Sequence, residues 1–234
     1  MTVDFATYCC PKDWQKLHAN FVNHLESHNY DFHEIHIVNQ RIPNNVSPTQ
    51  FDEYRVNNHF IKTIDYHTIL TINGINSKNE DAEKYTHGWG HSHYWKHHCV
   101  NHLIALNEST ADYIVLSDAD CHMSDSQGNL TKNTNWIKQG IEILKNDVNV
   151  LIVSPSDGSK AHSTQTMSQQ LFLCERERLL NIDFDLPFEG FKEGGPMQEY
   201  YFMLEGRIGR YMEKNNLFRH MLGADCRYWH LQWH

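Results

Sequence analysis

The chain has no apolar run approaching the length of a membrane span. Its start, Met1-Thr2-Val3-Asp4, lacks the charged-then-apolar pattern of an export signal. A cytoplasmic protein is expected, one that would meet a membrane from its surface or through a segment outside this sequence. There is no Cys-x-x-Cys pair: Cys9, Cys10, Cys99, Cys121, Cys174 and Cys226 are scattered, which argues for reduced thiols against a zinc ribbon or a disulfide framework. Basic residues are outnumbered, and the resulting net charge of −9 speaks against stable coating of nucleic acid, which needs many Lys and Arg contacts. No internal repeat, low-complexity tract or interdomain linker breaks the 234 residues. One sizeable core is therefore expected, and the 40% hydrophobic and 21% charged content is that of a globular protein.

Histidine is the residue present in excess, with 18 copies, and several gather at His87, His91, His93, His97, His98 and His102. His93 with His97, and His98 with His102, have the i,i+4 spacing that can hold a metal from one helix face. No His-Glu-x-x-His pattern accompanies them, so a polar helix surface near an anionic ligand is the expected role. A histidine-rich metal-binding protein without catalysis is the alternative.

The order of elements alternates between strands and helices, which predicts an α/β fold with a mostly parallel central sheet flanked by helices. Phe5 to Cys10 reads as the first strand, followed by a helix opened by Pro11 and Asp13 with Trp14, Leu17, Phe21 and Leu25 on one stripe. Glu34 to Asn39 is the second strand, residues 40 to 60 an irregular connection, and His67 to Asn73 the third strand. Asn73 to Gly90 reads as loop. A helix over Trp95 to Asn107 turns Trp95, Cys99, Leu103 and Leu106 inward. Trp136 to Leu144 is amphipathic, with Thr134 or Asn135 as its cap, and Val150 to Ser154 is a buried strand. After Pro155 the pattern is irregular until a helix from about Gln198 to Met212, and Gly223 to His234 is aromatic and histidine-rich.

The segment Tyr113-Ile114-Val115-Leu116-Ser117-Asp118-Ala119-Asp120 carries the chemistry. It is an apolar strand ending in two carboxylates, and strand alternation predicts that Ile114, Leu116, Asp118 and Asp120 share a face. The carboxyl end of a buried strand is where open α/β sheets bind ligands. Paired carboxylates there call for a hard divalent cation, which can in turn hold a diphosphate.

Strand, helix, strand, strand, helix, then a strand ending in Asp-x-Asp: this order resembles the GT-A glycosyltransferases, particularly the large family-2-like group. The resemblance implies a single GT-A, Rossmann-like domain over residues 1–234. Residues 1–122 would form the nucleotide-sugar half, and residues 123–234 the acceptor half with a metal-binding tail. Tyr8 and Cys9 in Thr7-Tyr8-Cys9-Cys10-Pro11 look like the strand end bordering the nucleotide base. Asn39 stands where the family often has an aspartate. Asn101 occupies the place of an Asn in the family's Ala-Arg-Asn-x-Gly helix, with Lys96 or His98 in place of the arginine. Glu193-Gly194-Gly195-Pro196-Met197-Gln198-Glu199 resembles the family's Gly-Gly-x-Glu-Asp helix start, which implies Glu199 as the catalytic base, with Glu193 and Asp225 in reserve. The tail, Tyr228-Trp229-His230-Leu231-Gln232-Trp233-His234, resembles the histidine-bearing segment that completes the metal shell, implying His230 or His234 as a ligand beside Asp118 and Asp120.

The implied activity is transfer of a sugar from a UDP- or GDP-linked nucleotide-diphosphate sugar, with Mn2+ or Mg2+, to an acceptor hydroxyl. The acceptor could be a glycan, lipid, protein or modified nucleobase. Trp229 and Trp233 are candidate sugar-stacking platforms. A nucleotidyltransferase of related fold is the second alternative, but Cys9-Cys10-Pro11-Lys12-Asp13 is not the glycine- and basic-rich loop that such an enzyme places after its first strand.

Overall fold

The computed structural model describes residues 1–9, 14–39, 55–56, 59–65, 102, 105–125, 127–156, 168, 170–182, 204–223 and 225–230. Its strands are β1 (Val3–Cys9), β2 (Ile35–Asn39), β3 (Arg55–Val56), β4 (His59–Asp65), β5 (Tyr113–Ser117), β6 (Cys121–Ser124), β7 (Val150–Ser154), β8 (Leu171–Glu175), β9 (Phe218–Met221) and β10 (Arg227–His230). Its helices are α1 (Trp14–Ser27), α2 (Trp136–Asn146), α3 (Arg176–Leu180) and α4 (Leu204–Lys214).

Eight strands form one sheet in the order β3-β4-β2-β1-β5-β8-β7-β9, and β6 pairs with β10 in a separate ribbon. β4, β2, β1 and β5 are parallel, β8 runs against both β5 and β7, β9 is parallel to β7, and β3 is antiparallel to β4. All but β3 and β8 therefore point the same way, which bears out the mostly parallel sheet. Chain order reverses across β1, whose neighbours are β2 and β5, so the crevice at its carboxyl end is the topological switch point.

Alternation along the strands splits the core into two layers. Phe5, Ile35, Ile37, Tyr113 and Val115 pack with Leu17, Phe21 and Leu25 of α1 and Trp136, Ile137, Ile141 and Leu144 of α2. Ala6, Ile114, Leu116, Ile152 and Phe172 pack on the other side with Leu106, Leu179, Leu204, Ile208 and Met212. The helical stripes read from sequence are thus the buried faces. α2 lies close to the sheet at Gly140, where an added Cβ would sit 2.7 Å from Leu173 Cδ2 and 3.3 Å from Val153 Cγ1.

Several local expectations are corrected. Residues 40 to 60 are not wholly irregular, because β3 and the start of β4 lie there, and Ile61 and Thr63 register against Ile35 and Ile37. The strand expected at His67 to Asn73 lies outside the described residues, as does Asn73 to Gly90. β8 falls in the stretch after Pro155 that read as irregular. Its run Leu171-Phe172-Leu173-Cys174 is buried on both faces, so it shows no alternation to mark it. Asn135 is the N-cap of α2 but makes no side-chain cap bond. Thr134 instead donates its hydroxyl to the Ser27 carbonyl at 3.2 Å, tying α2 to the end of α1. Of the histidine-rich helix, His102 and residues 105–108 are described. His102 is not on a polar surface; it is 2% exposed and stacks on Phe172, with centroids 6.0 Å apart and planes 8° from parallel.

Candidate nucleotide-sugar and metal site

At the carboxyl edge of the sheet, Cys9 registers with Asn39, Asn39 with Asp65, and Thr7 with Ser117. Positions 8, 9 and 39 therefore reach the same edge as the turn that follows β5. The strand ends at Ser117, and Asp118 and Asp120 lie in that turn, so strand alternation does not carry on to them as expected. Their approach is made by the turn instead: Cys121 N–H donates to the Asp118 carbonyl at 3.2 Å, curling the chain back into β6.

Asp118 is buried and Asp120 half-buried. Ligand atoms of Asp118, Asp120 and Cys121 all lie within 4.8 Å of one another. Burial, with Asp118 and Asp120 beside it, pushes the Cys121 thiol well up, so it stays a neutral group of the core. Two hard carboxylate oxygens at a ligand-binding edge are a donor set suited to Mg2+ or Mn2+.

The ribbon braces this turn. β10 runs antiparallel to β6, with His230 opposite Cys121, Trp229 opposite His122 and Tyr228 opposite Met123. Position 230 thus stands one residue in register from Asp120. The Tyr228 hydroxyl donates to Gln170 Oε1 at 3.0 Å and lies 3.3 Å from the Ser168 hydroxyl, while the Gln170 carbonyl accepts from Asp118 N–H at 2.7 Å. Ser156 N–H donates to the Cys226 carbonyl at 2.8 Å and anchors the ribbon to the end of β7.

Three histidines that the sequence reading did not single out pack behind the turn. His24 of α1 and His28, the residue just after that helix, are buried with ring centroids 5.3 Å apart, and His122 of β6 is also buried. His24 Nε2 lies 3.5 Å from Ser117 Oγ, and His28 Nδ1 accepts from Trp136 Nε1–H at 3.2 Å. Burial, then His122, lowers the His24 pKa to about 4, against opposing pulls from Asp120 and the Cys121 backbone. Burial, then the other two rings, holds His28 well below its usual range, and burial lowers His122. The trio is therefore neutral at neutral pH and adds no positive charge beside the carboxylates. The i,i+4 spacing of His24 and His28 beside the Phe21 and Leu25 stripe was the available signal for them.

A second cluster, Asp4, Glu34 and His36, lies at the opposite, amino-terminal edge. There Asp4 accepts from Ser109 Oγ at 2.7 Å, Glu34 N–H at 2.9 Å, His33 Nδ1 at 3.0 Å and His36 Nε2 at 3.2 Å. Those bonds saturate the buried carboxylate and join β1, the entry to β2 and the turn before β5. It is a structural latch.

Lys96, Asn101, Glu199 and His234 lie outside the described residues, and so do Glu193 and Trp233. Asp225 is exposed in the turn before β10.

No protein-family model and no curated protein matches the sequence. Solved structures do resemble its fold. Mouse xyloside xylosyltransferase 1 in its apo form aligns with a TM-score of 0.52 at 10% identity, covering 95% of this chain and 85% of that one. The mannosyltransferase PcManGT of Pyrobaculum calidifontis, in complex with GDP-Man and Mn2+, aligns with a TM-score of 0.53 at 13% identity over 96% and 56% of the two chains. Residues 1–349 of S. aureus TarS align with a TM-score of 0.52 at 14% identity over 97% and 59%. With the sheet order above and an acidic turn at its switch point, the chain has the GT-A fold of glycosyltransferases.

Proposed function

We propose that this chain is a metal-dependent glycosyltransferase that moves a sugar from a UDP- or GDP-linked donor to an acceptor hydroxyl. The observation that carries the reading is the Asp118-Ala119-Asp120 turn at the switch point of a GT-A sheet, with carboxylate oxygens within 4.8 Å of each other. The similar mannosyltransferase, whose complex holds GDP-Man and Mn2+, supports a donor and ion of this kind.

In this reading Asp120 binds the ion directly, and Asp118 binds it or faces the ribose. Position 230, in register beside them, or His234 completes the shell. Tyr8, Cys9 and Asn39 border the base from the ends of β1 and β2, and Lys96 and Asn101 bind the donor. A bound Mn2+ or Mg2+ would supply charge stabilisation for the departing diphosphate. Glu199 takes the acceptor proton. Residues 1–122 then serve the donor and residues 123–234 the acceptor. No helix among the described residues is long and apolar enough to cross a membrane.

The test is calorimetry of UDP and GDP binding with and without manganese. One nucleotide should bind only with the ion, and Asp120→Ala should abolish that binding while leaving the circular dichroism spectrum unchanged. Equal nucleotide affinity in the variant and the parent would overturn the reading.

A further inference from the structure

We infer that the outer face of Trp229 is the platform on which a sugar ring of the acceptor stacks, an inference that rests on the glycosyltransferase reading above. Along β10 the side chains alternate, so Tyr228 turns inward at 4% exposure and Trp229 turns outward at 51%. Trp229 pairs with His122, two residues beyond Asp120, which sets the indole next to the acidic turn.

The ring is backed on one face. Gly128, at φ +85°, lies flat against it: a Cβ at that position would be 3.3 Å from both Cε2 and Nε1 of the indole. Glycine is needed there for both the backbone angle and the close approach. Asp125 fixes the loop that carries Gly128. Its Oδ1 accepts from Gln127 N–H at 2.8 Å and Asn129 N–H at 2.9 Å, its Oδ2 accepts from Asn129 Nδ2 at 3.1 Å, and its carbonyl accepts from Gly128 N–H at 3.1 Å. An indole backed by Gly128 and half exposed loses little freedom when a flat ligand lands on it.

The surroundings select the ligand class. His122 Nδ1, Ser124 Oγ and Arg227 Nε, on the ribbon face that carries Trp229, are buried and have no hydrogen-bond partner among the described residues. They lie behind the exposed indole, so the polar neighbours a ligand would meet are those of the acidic turn. One flat, exposed indole next to a carboxylate-bearing turn matches a pyranose, which has an apolar C–H face and a rim of hydroxyls. A lipid surface would call for a broader apolar patch.

The experiment follows the indole N–H resonance of Trp229 in 15N-labelled protein, assigned by its loss in Trp229→Ala. The probes are methyl glycosides of glucose, galactose, mannose and N-acetylglucosamine, each added in the presence of magnesium with UDP or GDP. At least one should shift the resonance saturably. Trp229→Ala should weaken its binding about tenfold or more, about 1.4 kcal/mol, and Trp229→Phe should weaken it less, while metal-dependent nucleotide affinity stays unchanged in both. No shift with any of the four, in protein that still binds the nucleotide, would overturn the platform and leave the glycosyltransferase reading standing. A shift with phosphatidylcholine vesicles but with no glycoside would overturn it in favour of a membrane contact. Loss of nucleotide binding in the parent protein would instead strike the underlying reading.

Discussion

At the residue scale, buried titrating groups act in two separate pH windows, with Asp4 in the lower and His24 beside His28 and His122 in the upper. Burial alone would raise the Asp4 pKa, but bonds from His36, Ser109 and His33 outweigh it and hold the carboxyl at about 2, below the ordinary 3.8. A lowered acid gives stability that is present above 3.8 and lost as pH falls toward 2. His24 is lowered from 6.5 to about 4. The unfolded chain therefore binds the extra proton first, and stability falls as pH drops from 6.5 toward 4, by about 3 kcal/mol in all. Urea unfolding across pH should show both declines. His24→Phe should lessen the upper decline, to which His28 and His122 also contribute, and Asp4→Asn the lower one. An upper slope unchanged in His24→Phe would rule out its assignment. Asp118 and Asp120 were legible as a candidate site because apolar strand and paired acids are adjacent in sequence. The histidine trio was not, because His24 and His122 meet only when α1 crosses the end of β5.

At the element scale, the helices were easier to read than the strands. The spacing of Leu17, Phe21 and Leu25, and of Trp136, Ile137, Ile141 and Leu144, recurs as the buried faces of α1 and α2. The ribbon was hidden for the opposite reason: β6 and β10 are four residues each and gain their order from each other. α2 also depends on a gap that its sequence does not announce. Gly140 lets the helix settle onto Val153 and Leu173, so Gly140→Val should lower unfolding free energy by about 2 kcal/mol through overpacking. The larger side chain would also push α2 from β7 and β8. Equal stability in chemical denaturation would show that Leu173 and Val153 yield freely.

At the scale of the whole molecule, donor and ion should stabilise the fold because they bind it and not the unfolded chain. At a nucleotide concentration about 100-fold above its dissociation constant the gain is about 2.7 kcal/mol. For a chain of this size that raises the melting temperature by roughly 5–10 °C. Differential scanning fluorimetry with UDP or GDP plus manganese should show the rise, and nucleotide alone should not. A melting temperature indifferent to all four combinations would contradict a donor site at the sheet edge.

Local patterns alone determined the alternation of strands and helices, the buried helix faces and the acidic end of β5, because each rests on neighbours within a few residues. The resemblance to GT-A glycosyltransferases followed from the order of those patterns. Tertiary structure decided the rest. β8 runs against its neighbours and lies between β5 and β7, a placement that local periodicity cannot encode. The two aspartates converge through a turn and not along a strand, and the ribbon sets position 230 and Trp229 beside them through pairing across more than 100 residues. Those contacts join distant segments, and only the packed sheet brings the segments within reach.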